Sequence, residues 1–123
     1  MERIEFDLGR KGSPLSAAVV AEGRFVYISG QGALEDGVYV PGSIEAETTL
    51  ALGNLDVALR AAGATRDRVV RCGVFLADIA DLEGMNSAYT AFFGSVRPAR
   101  TTIQAGALPG GIRVEIDCVA VVS

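Results

Sequence analysis

Residues 113–122 alternate with a period of two, and both halves of the alternation carry bulk. Successive side chains of a strand point to opposite faces. Val114, Ile116, Cys118, Ala120 and Val122 therefore share one face, and Glu115, Asp117, Val119 and Val121 share the other. Such a strand needs cover on both sides, and the chain supplies two amphipathic helices. In the first, Ser43 suits an N-cap and Glu45 and Glu47 suit the first turn. Ile44, Leu52, Leu55, Leu59 and Ala62 then recur at helical spacing until Gly63. The second is expected from about Asp81 to Phe93, with Leu82, Met85, Tyr89 and Phe92 on one stripe and Gly94 as the stop. Two helices cover one face of a sheet, so the face carrying Glu115, Val119 and Val121 requires another chain to bury it.

The remaining strands read as Ala17 to Ala21, Phe25 to Ser29, Val69 to Ala77 and Thr101 to Ala105. The first two are expected to form a hairpin around Glu22-Gly23, with Phe25, Tyr27 and Ser29 on one face and Val26 and Ile28 on the other. Asp36-Gly37 and Pro41-Gly42 mark turns, and Thr65 to Arg68 one loose turn before the next strand. The segment Gly106 to Gly111 reads as the one marked flexible stretch. It lacks the spacing and the lysine of a phosphate loop.

A chain of 123 residues fits one domain, 1–123, with a core large enough to stand without disulfides. Half of its residues are hydrophobic, yet no uncharged run approaches the roughly 18 residues of a membrane span. The net charge of −4 lacks the basic footprint of a nucleic-acid binder. The N-terminal run Met1-Glu2-Arg3-Ile4-Glu5-Phe6-Asp7 alternates charge with bulk and has no secretory apolar core, so the cytoplasm is the expected location. Cys72 and Cys118 lie in hydrophobic strand-like runs with no metal-ligand spacing; they read as buried free thiols, with pairing across the sheet the other possibility. Lys11, beside Gly12 and Ser13, is a solvated loop residue rather than a Schiff-base nucleophile.

The chemistry concentrates in Pro98-Ala99-Arg100-Thr101-Thr102, Ala107-Leu108-Pro109-Gly110-Gly111 and Val114-Glu115-Ile116-Asp117. Arginine keeps its charge at any working pH and offers a planar fork that matches a carboxylate in two hydrogen bonds. A small carboxylate is thus a natural guest for Arg100. The chain has no histidine, so proton transfer near that guest falls to a carboxylate, a hydroxyl or a thiol, with Glu115 the foremost candidate. The plainer alternative is a structural ion pair between Arg100 and Glu115 that ties two strands together.

These residues stand in the order and spacing of the Rid family, the reactive intermediate deaminases, also called the YjgF family and in older naming endoribonuclease L-PSP. Tyr27-Ile28-Ser29-Gly30-Gln31, Ala61-Ala62-Gly63-Ala64, Val74-Phe75-Leu76, Met85-Asn86, Tyr89 and Phe92-Phe93-Gly94 also follow its pattern, so the resemblance spans nearly the whole chain. It implies an α+β fold of the chorismate-mutase-like kind, with two helices on one face of a mixed β-sheet, and a homotrimer with a cleft between protomers. It further implies hydrolysis of 2-imino and 2-enamino acids to 2-oxo acids and ammonia. By position, Arg100 matches the family's carboxylate-binding arginine and Glu115 its water-positioning glutamate, while Ser29, Asn86 and Thr102 match residues lining the cleft. One departure is chemical. The family's Gly-Pro-Tyr-Ser reads Ser13-Pro14-Leu15-Ser16 here, so Leu15 stands where a tyrosine hydroxyl usually reaches the substrate.

Imine hydrolysis needs the anionic end held, the nitrogen protonated and a water aimed at the carbon; neither metal nor cofactor is required. Leu15 leaves two further readings open. One is a non-catalytic trimer that binds or senses small carboxylates. The other is a catabolic deaminase for a larger or more apolar substrate, with Ser16 and Ser29 partly replacing the lost hydroxyl. Chorismate mutase activity is disfavoured, because a dianion requires several arginines around one pocket.

Overall fold

The computed structural model describes residues 3–123; Met1 and Glu2, which begin the charged N-terminal run, lie outside the described residues. Ten elements follow in order: β1 Arg3–Phe6, β2 Ala18–Ala21, β3 Arg24–Gln31, β4 Leu34–Glu35, β5 Val38–Tyr39, α1 Ile44–Ala61, β6 Val69–Leu76, α2 Leu82–Phe93, β7 Ala99–Gln104 and β8 Val114–Val122. The main sheet has four strands in the order β3-β8-β6-β7. β3 and β6 run antiparallel to β8, while β7 runs parallel to β6. α2 is the crossover that the parallel pair requires.

Both helices form where their sequence signals stand. Ser43 caps α1, its Oγ accepting the Ala46 N–H at 3.1 Å, and Gly63 leaves the helix at φ 82°. Gly94 ends α2 at φ 64°. Leu52, Leu55 and Leu59 of α1 and Met85 and Tyr89 of α2 join Cys72, Val74, Leu76, Val114, Ile116, Cys118 and Ala120 in one buried cluster. Both helices therefore cover the same face of the sheet. Ala62, expected on the buried stripe, is exposed instead, because the helix has already ended at Ala61.

The expected hairpin of Ala17 to Ala21 with Phe25 to Ser29 does not form. β2 pairs antiparallel with β1, Phe6 opposite Ala18 and Arg3 opposite Ala21, and β3 pairs with β8. The reason is competition for partners: β8 offers β3 a long apolar ladder, and β1 satisfies β2. Asp36 and Gly37, both at φ near the left-handed region (50° and 79°), close a short hairpin of β4 and β5. The expected flexible stretch ends in a single 3-10 turn at Pro109–Gly111.

A buried acid fixes the region between these parts. Glu47 is 1% exposed and accepts from Tyr39 Oη at 2.8 Å and the Gly42 N–H at 3.1 Å. Arg113 donates to Gly42 O at 2.8 Å and to Asp81 Oδ1 at 2.9 Å. The start of β8 is thereby tied to the turn before α1 and to the turn before α2.

On the other face of the sheet Phe25 is 62%, Tyr27 74% and Ile103 47% exposed. Val119 there is half-buried. Val121, expected to need a second chain, is already 1% exposed, beside the turn at Gly23. The open apolar area is therefore centred on β3 and β7 rather than on the end of β8.

Candidate functional site

Register decides which candidate residues can meet. Arg100 pairs with Cys72 and Thr102 with Val74 across the parallel β6–β7 ladder, so both point to the helix-covered side. There Arg100 meets α2: its Cζ lies 4.7 Å from the centroid of the Tyr89 ring and its Nη1 3.9 Å from Met85 Sδ. Asn86 follows Met85 on the same helix. The positions of three polar atoms are informative together. Arg100 Nε, Thr102 Oγ1 and Asn86 Oδ1 are all buried without a hydrogen-bond partner. Buried polar groups are nearly always satisfied, so three orphans on one strand edge and the helix above it are unusual. Burial lowers the Arg100 pKa from its usual value, with no carboxylate opposing the shift.

Glu115 lies elsewhere. It pairs with Phe75, between the buried Val114 and Ile116, and so projects from the open face. β8 and β7 are separated by β6, roughly 10 Å of sheet, and the two side chains leave opposite faces. No ion pair joins Arg100 to Glu115. The plain structural alternative is therefore excluded within one chain.

Ser29 is on the same open face as Glu115. The ladder between β3 and β8 shifts register between Ile28 and Gln31, making a bulge at Ser29-Gly30. Gly30 leaves room for the acid: an ideal Cβ there would sit 2.4 Å from Glu115 Oε2. Beyond the bulge, Asn54 of α1 donates to Gly32 O and Leu34 O, both at 2.9 Å, and holds the end of β3. Leu15 is half-buried in a groove shared with Ser13, Arg97 and Glu5, next to the start of β7, where Ser16 bridges to Ala99. Ser16 is 3% exposed and its hydroxyl donates to Arg97 O, so it is committed to the backbone and does not replace the missing tyrosine hydroxyl.

The candidate residues thus fall into two separate groups, Arg100 with Thr102 and Asn86 on the helix-covered side at the β7 edge, and Glu115 with Ser29 on the open face. Sequence reasoning missed Gly30 as the seat of Glu115, although a glycine inside a strand is a recognised sign of a bulge or close approach. Cys72 and Cys118, opposite each other on β6 and β8, are buried and free. Burial raises both thiol pKa values, that of Cys72 to about 12.

The fold is of the α+β class, a mixed four-stranded sheet with both helices on one face. Residues 11–122 match the family described as Endoribonuclease L-PSP, and the chain belongs to that family, the Rid proteins. It is 40% identical over 112 residues to the mitochondrial protein mmf2 of Schizosaccharomyces pombe, covering 89% of this chain and 88% of that one. It is 44% identical over 110 residues to the 2-iminobutanoate/2-iminopropanoate deaminase of Capra hircus, covering 88% and 80%. Among solved structures, the Rid family protein YyfB of Yersinia pestis superposes with a TM-score of 0.82 at 32% identity, covering 99% and 100%. E. coli TdcF with bound serine gives 0.76 at 28% identity, covering 90% of each chain. No helix among the described residues is long and apolar enough to cross a membrane.

Proposed function

We propose that the protein is an enamine/imine deaminase that converts small 2-imino acids to 2-oxo acids and ammonia. The observation that carries this reading is the orphaned Arg100 Nε, with Thr102 Oγ1 and Asn86 Oδ1 orphaned alongside it. A guanidinium kept free of carboxylates in its own chain is available to a substrate carboxylate. The name borne by relatives at 44% identity supports 2-imino acids as the substrate class.

The second half-site then comes from another copy. In a homotrimer of the chorismate-mutase-like kind, the open face around Tyr27 and Phe25 packs on a neighbour and brings that neighbour's Glu115 and Ser29 to the Arg100 edge. Arg100 grips the carboxylate in two parallel hydrogen bonds. The enamine tautomerises and the imine nitrogen takes a proton from solvent. Glu115 accepts a proton from a water as its oxygen bonds to the imine carbon. Glu115 returns that proton to the nitrogen of the resulting carbinolamine, whose C–N bond breaks as ammonia leaves while the hydroxyl gives its proton to solvent and the carbonyl forms. The two buried thiols fit a reducing, cytoplasmic setting.

Leu15 favours a second reading, a carboxylate-binding trimer without turnover. A panel of imines generated in situ by an amino-acid oxidase, with semicarbazide capturing what escapes hydrolysis, separates the two. Faster imine decay with the protein, abolished by Arg100→Ala, is expected. A flat panel together with carboxylate binding would favour the binder.

A further inference from the structure

Arg100 carries a charge at a half-buried strand edge, and the groups that hold it are not anions. Its Cζ lies over the Tyr89 ring at 4.7 Å and its Nη1 touches the Met85 thioether. Both supporting residues are fully buried. The Tyr89 ring is in turn braced: its centroid lies 4.8 Å from that of Phe93, and Phe93 meets Phe92 edge-on at 4.9 Å. Arg66 then lies over Phe92, its Cζ 4.0 Å from the ring, and donates to Phe92 O. A row of three aromatic rings along the end of α2 therefore ends in the face on which Arg100 rests.

A ring face differs from a carboxylate as a support for arginine. The attraction acts through the π cloud of the ring and strengthens where water is excluded. Apart from Nη1, which reaches Met85 Sδ at 3.9 Å, the Arg100 donors have no partner among the described residues, whereas a carboxylate support would occupy the donors that a ligand needs. The orphaned Nε fits this division. The Tyr89 hydroxyl contributes little: it has no partner of hydrogen-bonding geometry, although the Cys72 thiol adjoins it, and burial raises its pKa far above the usual tyrosine range. The part of Tyr89 that matters to Arg100 is its ring.

We infer that Tyr89 is the positioning residue of the carboxylate clamp, its ring fixing the Arg100 guanidinium in place without a carboxylate taking up its donors. The inference rests on the reading of Arg100 as the clamp, and a ligand-free measurement separates the two.

The test compares the wild type with Tyr89→Phe and Tyr89→Leu, using pyruvate as the probe of binding. The side-chain Nε–H resonance of Arg100 is recorded by NMR without ligand. In the wild type and Tyr89→Phe this proton should be shifted by the ring current, and in Tyr89→Leu the shift should vanish. Pyruvate affinity should be rescued to within about threefold in Tyr89→Phe and fall about tenfold in Tyr89→Leu, the range expected of a desolvated cation–π contact. If Tyr89→Leu does not fold, Tyr89→Met, unbranched and flexible enough to fill the core, takes its place. Unshifted Arg100 Nε–H in the wild type, or wild-type affinity in the folded aliphatic variant, overturns the inference and leaves the deaminase reading standing. A ring-current shift that behaves as expected in a protein that binds no pyruvate overturns the clamp and supports only the placement of Arg100 by Tyr89.

Discussion

Replacing Gly30 by alanine separates the chemistry of Glu115 from the stability of the fold. The new Cβ would lie 2.4 Å from Glu115 Oε2, 2.7 Å from Cδ and 2.9 Å from Cγ. Ordinary contact begins near 3.4 Å, so the carboxylate must retreat by about 1 Å. Gly30 is not at positive φ, and alanine can therefore adopt its backbone. The group that must move is the end of a flexible side chain on an open face, so the cost to folding is about 1 kcal/mol, that of a strained rotamer. The effect on turnover is larger. A misplacement of 1 Å in a reacting group can lower a rate about 10²-fold, or about 2.7 kcal/mol of barrier. The assay is semicarbazide capture of 2-iminopropanoate, run beside a thermal melt and a pyruvate titration. Turnover should fall by about two orders of magnitude, the melt should shift by only a few degrees, and pyruvate affinity should hold because the Arg100 half-site is untouched. Wild-type turnover in Gly30→Ala would refute the role given to Glu115. A loss of turnover matched by collapse of the melt would show that Gly30 serves the fold alone.

Arg100→Ala should abolish pyruvate binding and Arg100→Lys should restore little, since a point charge cannot replace a two-bond fork; titration calorimetry decides. Mixing Arg100→Ala with Glu115→Gln protomers, each inactive alone, should restore about a quarter of wild-type activity after random exchange, because a quarter of interfaces then combine two intact halves. No recovery from verified mixed oligomers would place both residues of each site in one protomer. Leu15→Tyr should shift preference from the imines of leucine or methionine toward that of alanine by a factor worth about 1–3 kcal/mol, read as a ratio of kcat/KM values. Burial raises the Cys72 thiol from 9.0 to about 12, so its contribution to stability is full below 9.0 and fades as pH climbs toward the folded value. A thiol reagent at about pH 8 should therefore label neither cysteine until the protein is denatured.

The helices were legible because their signals are local: Ser43 and Gly63 bracket α1, and Gly94 stops α2. Strand pairing was not, because the partner of a strand is chosen across the whole chain. Glu22-Gly23 between two apolar runs looks like a hairpin turn, yet β2 takes β1, whose charged alternation Arg3-Ile4-Glu5-Phe6 conceals a strand. The face of Glu115 followed from the period of β8 alone. The face of Arg100 required knowing that β7 runs parallel beside β6, which no alternation within Arg100-Thr101-Thr102 records. The candidate residues were thus named from the resemblance, while their division between two sides of the sheet was not legible. Nor could Gly30 be linked to Glu115 before the bulge aligned them.

If Arg100 and Glu115 act together as proposed, their placement on opposite faces makes concentration a variable of the chemistry. On the proposed reading, a dissociated chain is folded and carries every required group, yet has no active site. Specific activity should then fall on dilution below the assembly constant, with a reaction order in protein above one. Substrate that favours the joined half-sites would hold the oligomer together by mass action, so activity lost on dilution would be retained where the imine is abundant.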